Sequence, residues 1–235
     1  MDLDLRRNSI LARLPSEELN SIEPKLEVVD VRLREPVYDP GRAITHVYFP
    51  LSCIFSLVAL ADGRVIVEIA TIGREGMVGL PVFLGAASSP HTAFCQVAGR
   101  AALMQADSLR DAAAHDGALR RLLNRLTQAT MVQVAQNVVC NRTHSSEQRA
   151  ARWLLMTEDR IGRPEFALTQ EFLAQMLGLR RPTVSETARR LQGRGLIRYS
   201  RGMMTISDRA GLERTTCDCY GIIKAEFDDM TRDVT

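Results

Sequence analysis

The sequence predicts an α+β fold in three parts. Short runs rich in Val, Ile and Phe, separated by Gly, Pro and Asp turn signals, indicate an antiparallel β domain. An apolar stripe at helical spacing then continues without interruption for about 25 residues. Two helices that meet at a tight turn, followed by a strand hairpin, complete the chain. The boundaries that these patterns indicate are 1–116 for the β domain, 117–143 for the long helix and 144–235 for a winged helix-turn-helix.

The β domain is predicted between Leu26 and Ala106. Its strands recur at intervals of about 8 to 12 residues, which is typical of an antiparallel sandwich or barrel. The clearest strand pair is 54–60 with 65–72, joined across residues 61–64. This part of the chain should therefore bury its own core.

The composition is that of an ordinary globular protein, with 46% hydrophobic and 25% charged residues among 235. No run of about 18 apolar residues is present, which argues against a membrane span. The first residues include acids where a secretory signal has basic and apolar residues. We therefore expect a cytoplasmic protein without a membrane partner.

The cysteines are odd in number, scattered along the chain and without a C-x-x-C pair. This pattern predicts neither a disulfide framework nor a metal site. A C-x-C pair rarely closes without strain, so Cys217 and Cys219 are interpreted as core or surface thiols rather than as an oxidant sensor. The five cysteines are Cys53, Cys95, Cys140, Cys217 and Cys219.

The long helix is predicted to mediate dimerisation. About 25 helical residues span about 37 Å, which is longer than a small β domain can cover. A partner helix is the natural cover, and it would form a parallel coiled coil in a homodimer. The alternative is a helix that packs wholly within its own chain. The residues assigned to the dimer interface are Leu119, Leu122, Leu123, Leu126, Val134 and Val138.

The helix-turn-helix is predicted from residue types at fixed spacing. Thr169 can cap a first helix, and Gly178 can supply the left-handed residue that ends it. Pro182 fits the first turn of a second helix, because the missing N–H would be unpaired there. Ala174 and Val184 stand where two steeply crossing helices need a small residue and a core anchor.

This region is also strongly basic. Residues 176–202 contain seven arginines and one acid, whereas the whole chain has a net charge of only +2. A face that binds a polyanion requires such clustering, because neutralising phosphates supplies most sequence-independent affinity. A strand hairpin around Arg201 and Gly202 would place one arginine at the tip of a wing.

The order of elements, with LRRPTVS at 179–185 and GLI at 195–197, resembles the CRP/FNR regulators over nearly the whole chain. The resemblance implies an amino-terminal β-roll, or double-stranded β-helix, like the cyclic-nucleotide-binding domain. It also implies a homodimer that binds a two-fold symmetric operator in double-stranded DNA, with one helix in each major groove. RNA polymerase would be a further partner if the protein activates transcription.

Two sets of residues are predicted to contact DNA. Those assigned to base edges are Arg180, Arg181, Thr183, Ser185, Glu186 and Arg189. Those assigned to phosphates are Thr169, Gln170, Arg190 and Arg201. Pro182 and Glu186 replace a glutamate and an arginine that are common in the family, so we expect an operator that differs from the usual half-site.

The β domain departs from the cyclic-nucleotide pattern of the family. Leu80 stands in the place of the ribose-binding glutamate, and His91 in the place of the phosphate-binding arginine. A buried phosphate without a cation would be strongly destabilising, so cyclic AMP is not expected as the effector. The first cysteine is Cys53, which also argues against an amino-terminal iron–sulfur cluster. No cofactor is predicted, and the candidate pocket for an unknown small-molecule effector comprises Gly76, Gly79, Leu80, His91 and Thr92.

Other functions remain open at this point. The chain could be a ligand- or partner-binding module whose helix-turn-helix is a protein-docking platform, which salt dependence would distinguish from DNA binding. An enzyme would need paired catalytic groups, and no such motif is found.

The glycine-rich turn 73–76 could cradle an anion or serve as an ordinary tight turn. His46 and His91 each lack a second ligand at metal-binding spacing, so they are interpreted as ordinary polar residues.

Overall fold

The computed structural model describes residues 5–61 and 65–230, so residues 62–64 of the predicted hairpin turn lie outside the described residues. The strands are β1 (Leu26–Val31), β2 (Pro36–Tyr38), β3 (His46–Pro50), β4 (Ile54–Ala61), β5 (Val65–Ile72), β6 (Thr92–Val97), β7 (Gly99–Gln105), β8 (Glu165–Ala167), β9 (Ile197–Ser200) and β10 (Met203–Ile206). The helices are α1 (Ser9–Ala12), α2 (Ser16–Ile22), α3 (Leu80–Phe83), α4 (Ala106–Ala112), α5 (Ala118–Thr143), α6 (Ser146–Ile161), α7 (Gln170–Leu177), α8 (Arg181–Gly193), α9 (Arg209–Thr215) and α10 (Asp218–Met230).

Two antiparallel sheets form the amino-terminal part, as the strand spacing predicts. One sheet has the order β1-β7-β3 and the other β2-β6-β4-β5. Side chains from both sheets share one core, in which Phe49, Phe55 and Met104 are at most 1% exposed. The predicted pair of β4 with β5 is present, with a register shift between Leu57 and Val58.

The helix α5 has 26 residues and is therefore about 39 Å long. Its amino terminus is capped from a distant part of the chain, because the Glu18 carboxylate accepts hydrogen bonds from the backbone N–H groups of Ala118 (2.8 Å) and Leu119 (3.0 Å). A negative charge at this end of a helix also interacts favourably with the helix dipole. The start of α5 is thus held against α2.

The assignment of the α5 leucines to a dimer interface is corrected by the structure. Four of them lie in the core of the chain's own β domain and are at most 3% exposed: Leu119, Leu122, Leu123 and Leu126. Helical spacing identifies an apolar stripe but cannot tell whether its cover belongs to the same chain or to a partner. Of the other two assigned residues, Val134 is half-buried and Val138 is 66% exposed.

Local capping contacts define the helix ends of the winged helix-turn-helix, among them the predicted ones at Thr169 and Gly178. Ser145 and Gln148 form a reciprocal capping box at the start of α6, and the Thr169 hydroxyl accepts from Phe172 N–H at the start of α7. Gly178 ends α7 in the left-handed conformation with φ 59°. The wing consists of β8, β10 and β9 in that order.

The strand β8 was not predicted from the sequence. It pairs with β10 through Phe166 opposite Met204, and both of these side chains are at most 1% exposed. Three residues are too few for an alternating pattern to be recognised. Among the helices that the structure describes, none combines the length and the apolar character needed to cross a bilayer.

Candidate nucleic-acid interface

The helix α8 has one buried face and one exposed, basic face. Val184, Ala188 and Leu191 are buried in the core of the winged helix-turn-helix, which holds the helix in place. The opposite face is available to a large ligand. On α8 and its N-cap, the exposed residues among those predicted to contact bases or phosphates are Arg180, Arg181, Glu186, Arg189 and Arg190.

Two of the predicted DNA contacts are hydrogen-bonded to each other. The hydroxyl of Ser185 on α8 donates to the side-chain oxygen of Gln170, the first residue of α7. Both residues are half-buried, as is Thr183. This bond joins the two helices of the motif, so a base contact from Ser185 must share or replace it.

A second pair lies within α8 itself. Arg190 donates to the carboxylate of Glu186 one turn earlier, and the two side chains are 62% and 55% exposed. An exposed pair of this kind contributes only about 0.3 to 0.5 kcal/mol. A phosphate or a base can therefore compete for either partner at small cost.

The remaining predicted contacts lie beside α8 on other elements. Thr169 is exposed at the start of α7, and its hydroxyl is 3.1 Å from Phe172 N. Arg201 is exposed at the tip of the wing, where Arg201 (φ 50°) and Gly202 (φ 78°) both have the positive φ of a tight two-residue hairpin. The wing turn thus presents a cation away from the core.

The predicted effector residues are only partly brought together. Gly76, Gly79 and Leu80 line a cavity of about 140 Å³ between β4, β5, α3 and α5. His91 and Thr92 do not line it, so this cavity brings together three of the five predicted pocket residues. His91 and Thr92 lie at the start of β6, where Thr92 pairs with Val58 of β4, and this placement depends on sheet pairing rather than on local sequence.

The cavity has an apolar lining. Among the described residues that line it, Glu75 alone is charged, and its carboxylate is already engaged by Arg160 at 2.7 Å. The same carboxylate accepts from Gly73 N–H at 3.0 Å. The turn 73–76 therefore directs an N–H group at its own acid, which disfavours the anion-cradle interpretation.

A larger cavity of about 320 Å³ lies between α6, α10 and this turn, and none of the five predicted pocket residues lines it.

The cysteines are not scattered in space as they are in sequence. All five are buried, and Cys140 lies 3.6 Å from Cys217, measured between sulfur atoms, although 77 residues separate them. Cys219 and His144 complete this cluster. The interpretation of Cys217 and Cys219 as core or surface thiols agrees with their burial. Sequence spacing could not predict the cluster, because it cannot show that α5 packs against α10.

Comparison with known proteins identifies the carboxy-terminal part. Residues 148–215 match the family described as the Crp-like helix-turn-helix domain. No curated protein is similar enough in sequence to count as a match.

Solved structures extend the similarity to most of the chain. FixK2 from Bradyrhizobium japonicum has a TM-score of 0.69 at 20% identity, covering 82% of this chain and 98% of that one. A Crp/Fnr-family protein from Eubacterium rectale has a TM-score of 0.67 at 19% identity, covering 88% and 96%. A CRP-family transcriptional regulator from Thermus thermophilus has a TM-score of 0.65 at 19% identity, covering 80% and 95%. The chain thus has a Crp-like helix-turn-helix domain within the fold of the CRP/FNR-family transcriptional regulators.

Proposed function

We propose that the protein is a homodimeric, sequence-specific DNA-binding transcription regulator of the CRP/FNR type. The observation that carries this proposal is the exposed, arginine-bearing face of α8 in a Crp-like domain. A helix-turn-helix places its second helix in the major groove. The proposal assigns sensing to residues 1–116, dimerisation to 117–143 and DNA binding to 144–235.

Sequence selectivity is assigned to the exposed side chains of α8. Arg180, Arg181 and Arg189 can donate to guanine, and Glu186 can accept from a cytosine amino group once it is released from Arg190. Thr183 and Ser185 are small and half-buried, which suits close approach to the edge of a base. Phosphate contacts from Thr169, Gln170, Arg190 and Arg201 would orient the domain on the duplex.

Dimerisation is assigned to the carboxy-terminal half of α5. Met131 and Val138 are 65% and 66% exposed, and Ala135 lies exposed between them. The spacing of four and then three residues is that of an interface between two parallel helices. A second copy of the chain is the occupant that fits, because it brings the same stripe and a second α8 for the other half-site. The buried leucines of the first half of α5 have no part in this interface.

The small cavity of the β domain suits an uncharged effector. Its described lining offers no cation for a phosphate, and the one acid is already paired with Arg160. An apolar ligand would replace few hydrogen bonds on entering such a site. We therefore propose that any effector bound there is a small molecule other than a cyclic nucleotide.

Operator selection tests this proposal directly. The full chain is used to enrich binding sequences from random duplexes, and affinity is then measured by fluorescence anisotropy over a salt series. We expect a two-fold symmetric site and an affinity that falls steeply with salt. Arg181→Ala should weaken operator binding, whereas Arg42→Ala, which alters an exposed arginine of the β domain, serves as the matched control. Failure to bind any duplex at low salt would refute DNA binding and favour the protein-docking alternative.

A further inference from the structure

Four side chains with metal-ligand atoms meet where the end of α5 contacts the start of α10. Cys140 and His144 are one helical turn apart at the end of α5, and Cys217 and Cys219 lie at the start of α10. The sulfur atoms of the three cysteines and a ring nitrogen of His144 all lie within 4.8 Å of one another. We propose that these four residues bind one zinc ion.

The distances between the ligand atoms fit tetrahedral coordination. Zinc binds sulfur at about 2.3 Å and histidine nitrogen at about 2.0 to 2.1 Å, so neighbouring ligand atoms should be about 3.5 to 3.8 Å apart. The Cys140 and Cys217 sulfur atoms are 3.6 Å apart, and the Cys219 sulfur is 3.7 Å from His144 Nδ1. A disulfide would instead need a sulfur separation of about 2.05 Å.

The ligand chemistry favours zinc over harder cations. Thiolate and imidazole ligands in a tetrahedral arrangement select zinc, whereas magnesium and calcium require oxygen ligands. The protein supplies all four ligands and leaves no open position, which is typical of a structural site rather than a catalytic one.

Two buried arginines next to the cluster support a negatively charged site. Arg149 and Arg152 on α6 are 8% and 5% exposed, and neither forms a salt bridge with a carboxylate in residues 5–61 and 65–230. Their Nε atoms have no hydrogen-bond partner within the described chain. Buried cations are costly unless an anion compensates them.

The zinc site would supply an anion beside both arginines, in addition to Glu68, whose carboxyl group interacts electrostatically with Arg152. Three thiolates and one neutral imidazole around a divalent ion leave a single net negative charge. The arginines lie close enough to the thiols to interact with them electrostatically, Arg152 with Cys219 and Arg149 with Cys140.

The site would join the two helices that flank the Crp-like domain in sequence. The helix α5 precedes this domain and α10 follows it, so one ion would tie both ends of residues 148–215 together. Metal binding would add its free energy to the folded state. This role concerns the position of the domain and does not depend on whether the protein binds DNA.

Cobalt titration of the full chain provides the test. The purified protein is reduced, stripped of metal with a chelator and titrated anaerobically with Co²⁺, which gives thiolate charge-transfer bands and intense visible bands in tetrahedral sites. We expect one equivalent to bind and an equal amount of Zn²⁺ to abolish the spectrum. Cys140→Ser and Cys219→Ser should lose the bands. Cys95→Ser, which alters an equally buried cysteine of β6, should keep them.

The His144→Ala variant keeps the proposal testable if the buried cysteine variants fail to fold, because His144 is only half-buried at the end of α5. The zinc affinity of His144→Ala, measured by competition with a chromophoric chelator, should fall at least about tenfold. Changes to residues that only hydrogen-bond to a metal ligand already lower metal affinity by that factor. The proposal is overturned if the reduced wild-type chain binds no cobalt. It is also overturned if Cys140→Ser and His144→Ala both bind zinc with wild-type affinity. A third contrary result would be a Cys140–Cys217 disulfide in protein purified without reductant, if reducing that disulfide does not produce a cobalt-binding site.

Discussion

The indole nitrogen Nε1 of Trp153 on α6 donates a hydrogen bond to the carboxylate oxygen Oε2 of Glu68 on β5 at 2.7 Å. The contact joins the Crp-like domain to the β domain, and the Ser56 hydroxyl donates to the other carboxylate oxygen at 2.8 Å. Around it, the Phe94 and Phe172 rings meet edge to face with centroids 6.1 Å apart. The Crp-like domain is therefore attached to the sheet through a buried polar contact enclosed by apolar groups.

Removal of the indole donor should destabilise this junction. Trp153→Phe keeps an aromatic ring but leaves the buried Glu68 oxygen without its partner, which should cost about 1 to 3 kcal/mol. Chemical unfolding of the full chain measures the loss. The double variant with Glu68→Gln should lose less than the sum of the two single variants, since the residues share one hydrogen bond. Strict additivity would show that the bond contributes nothing.

The same carboxyl group should make stability depend on pH. Burial raises the pKa of Glu68 above its ordinary value of 4.5, while the Ser56 and Trp153 hydrogen bonds and the charge of Arg152 act in the opposite direction. Between the unfolded and the folded pKa, the folded chain therefore binds more protons at this group than the unfolded chain does. The contribution of this group is therefore complete below the unfolded pKa and is lost as pH rises through the folded pKa.

A neutral variant checks the sign of this effect. Glu68→Gln carries no charge at any pH, so its stability relative to wild type should rise as the pH increases above 4.5, the ordinary pKa of this carboxyl group. Urea unfolding at several pH values measures the difference. Glu165→Gln, at an exposed position, is the control and should show no such trend. If the difference in stability between Glu68→Gln and wild type did not change with pH, the pKa of Glu68 would be the same in the folded and unfolded chains.

The two classes of DNA contact should respond differently to mutation. Arg181→Ala should cost about 1 to 3 kcal/mol on the selected operator and relax preference at one base pair. Arg201→Ala should weaken operator and random duplex alike and reduce the salt slope by about one. Anisotropy titrations on both duplexes separate these outcomes. Equal effects of the two variants on both duplexes would contradict the assignment of Arg181 to a base and Arg201 to a phosphate.

The two halves of α5 should also respond differently. Val138→Glu places a charge on the exposed stripe and should convert the dimer to a folded monomer, as measured by sedimentation. Leu33→Glu alters another exposed apolar residue, which is 51% exposed on the β domain, and should leave the dimer intact. Leu122→Ala creates a cavity in the chain's own core and should instead cost about 2 to 5 kcal/mol of stability. A wild-type chain that is already monomeric would refute the dimer.

Cyclic AMP should not bind to the β domain. The described lining of the small cavity contains no cation, and a buried phosphate requires one. Titration calorimetry with cyclic AMP should therefore show no binding heat, and the unfolding temperature should not rise. A saturable stabilisation by cyclic AMP would show that the cavity rearranges to supply a cation.

Sequence patterns predicted the features that depend on neighbours along the chain. The cap at Thr169 and the left-handed Gly178 both involve contacts within a few residues, and the structure confirms them. The hairpin turn at Arg201 is of the same kind. Spacing is a sufficient signal in these cases because both partners lie in one turn of chain.

The sequence by itself thus determined the order of elements, the helix ends and the basic character of α8. Only the tertiary structure decided that Leu122 is covered by its own β domain, that His91 lies outside the small cavity and that Cys140 meets Cys217. Each of these outcomes depends on which distant segments pack together. A pattern of residue types records that a face is apolar or that a thiol is present, but the partner is set by the path of the chain through space.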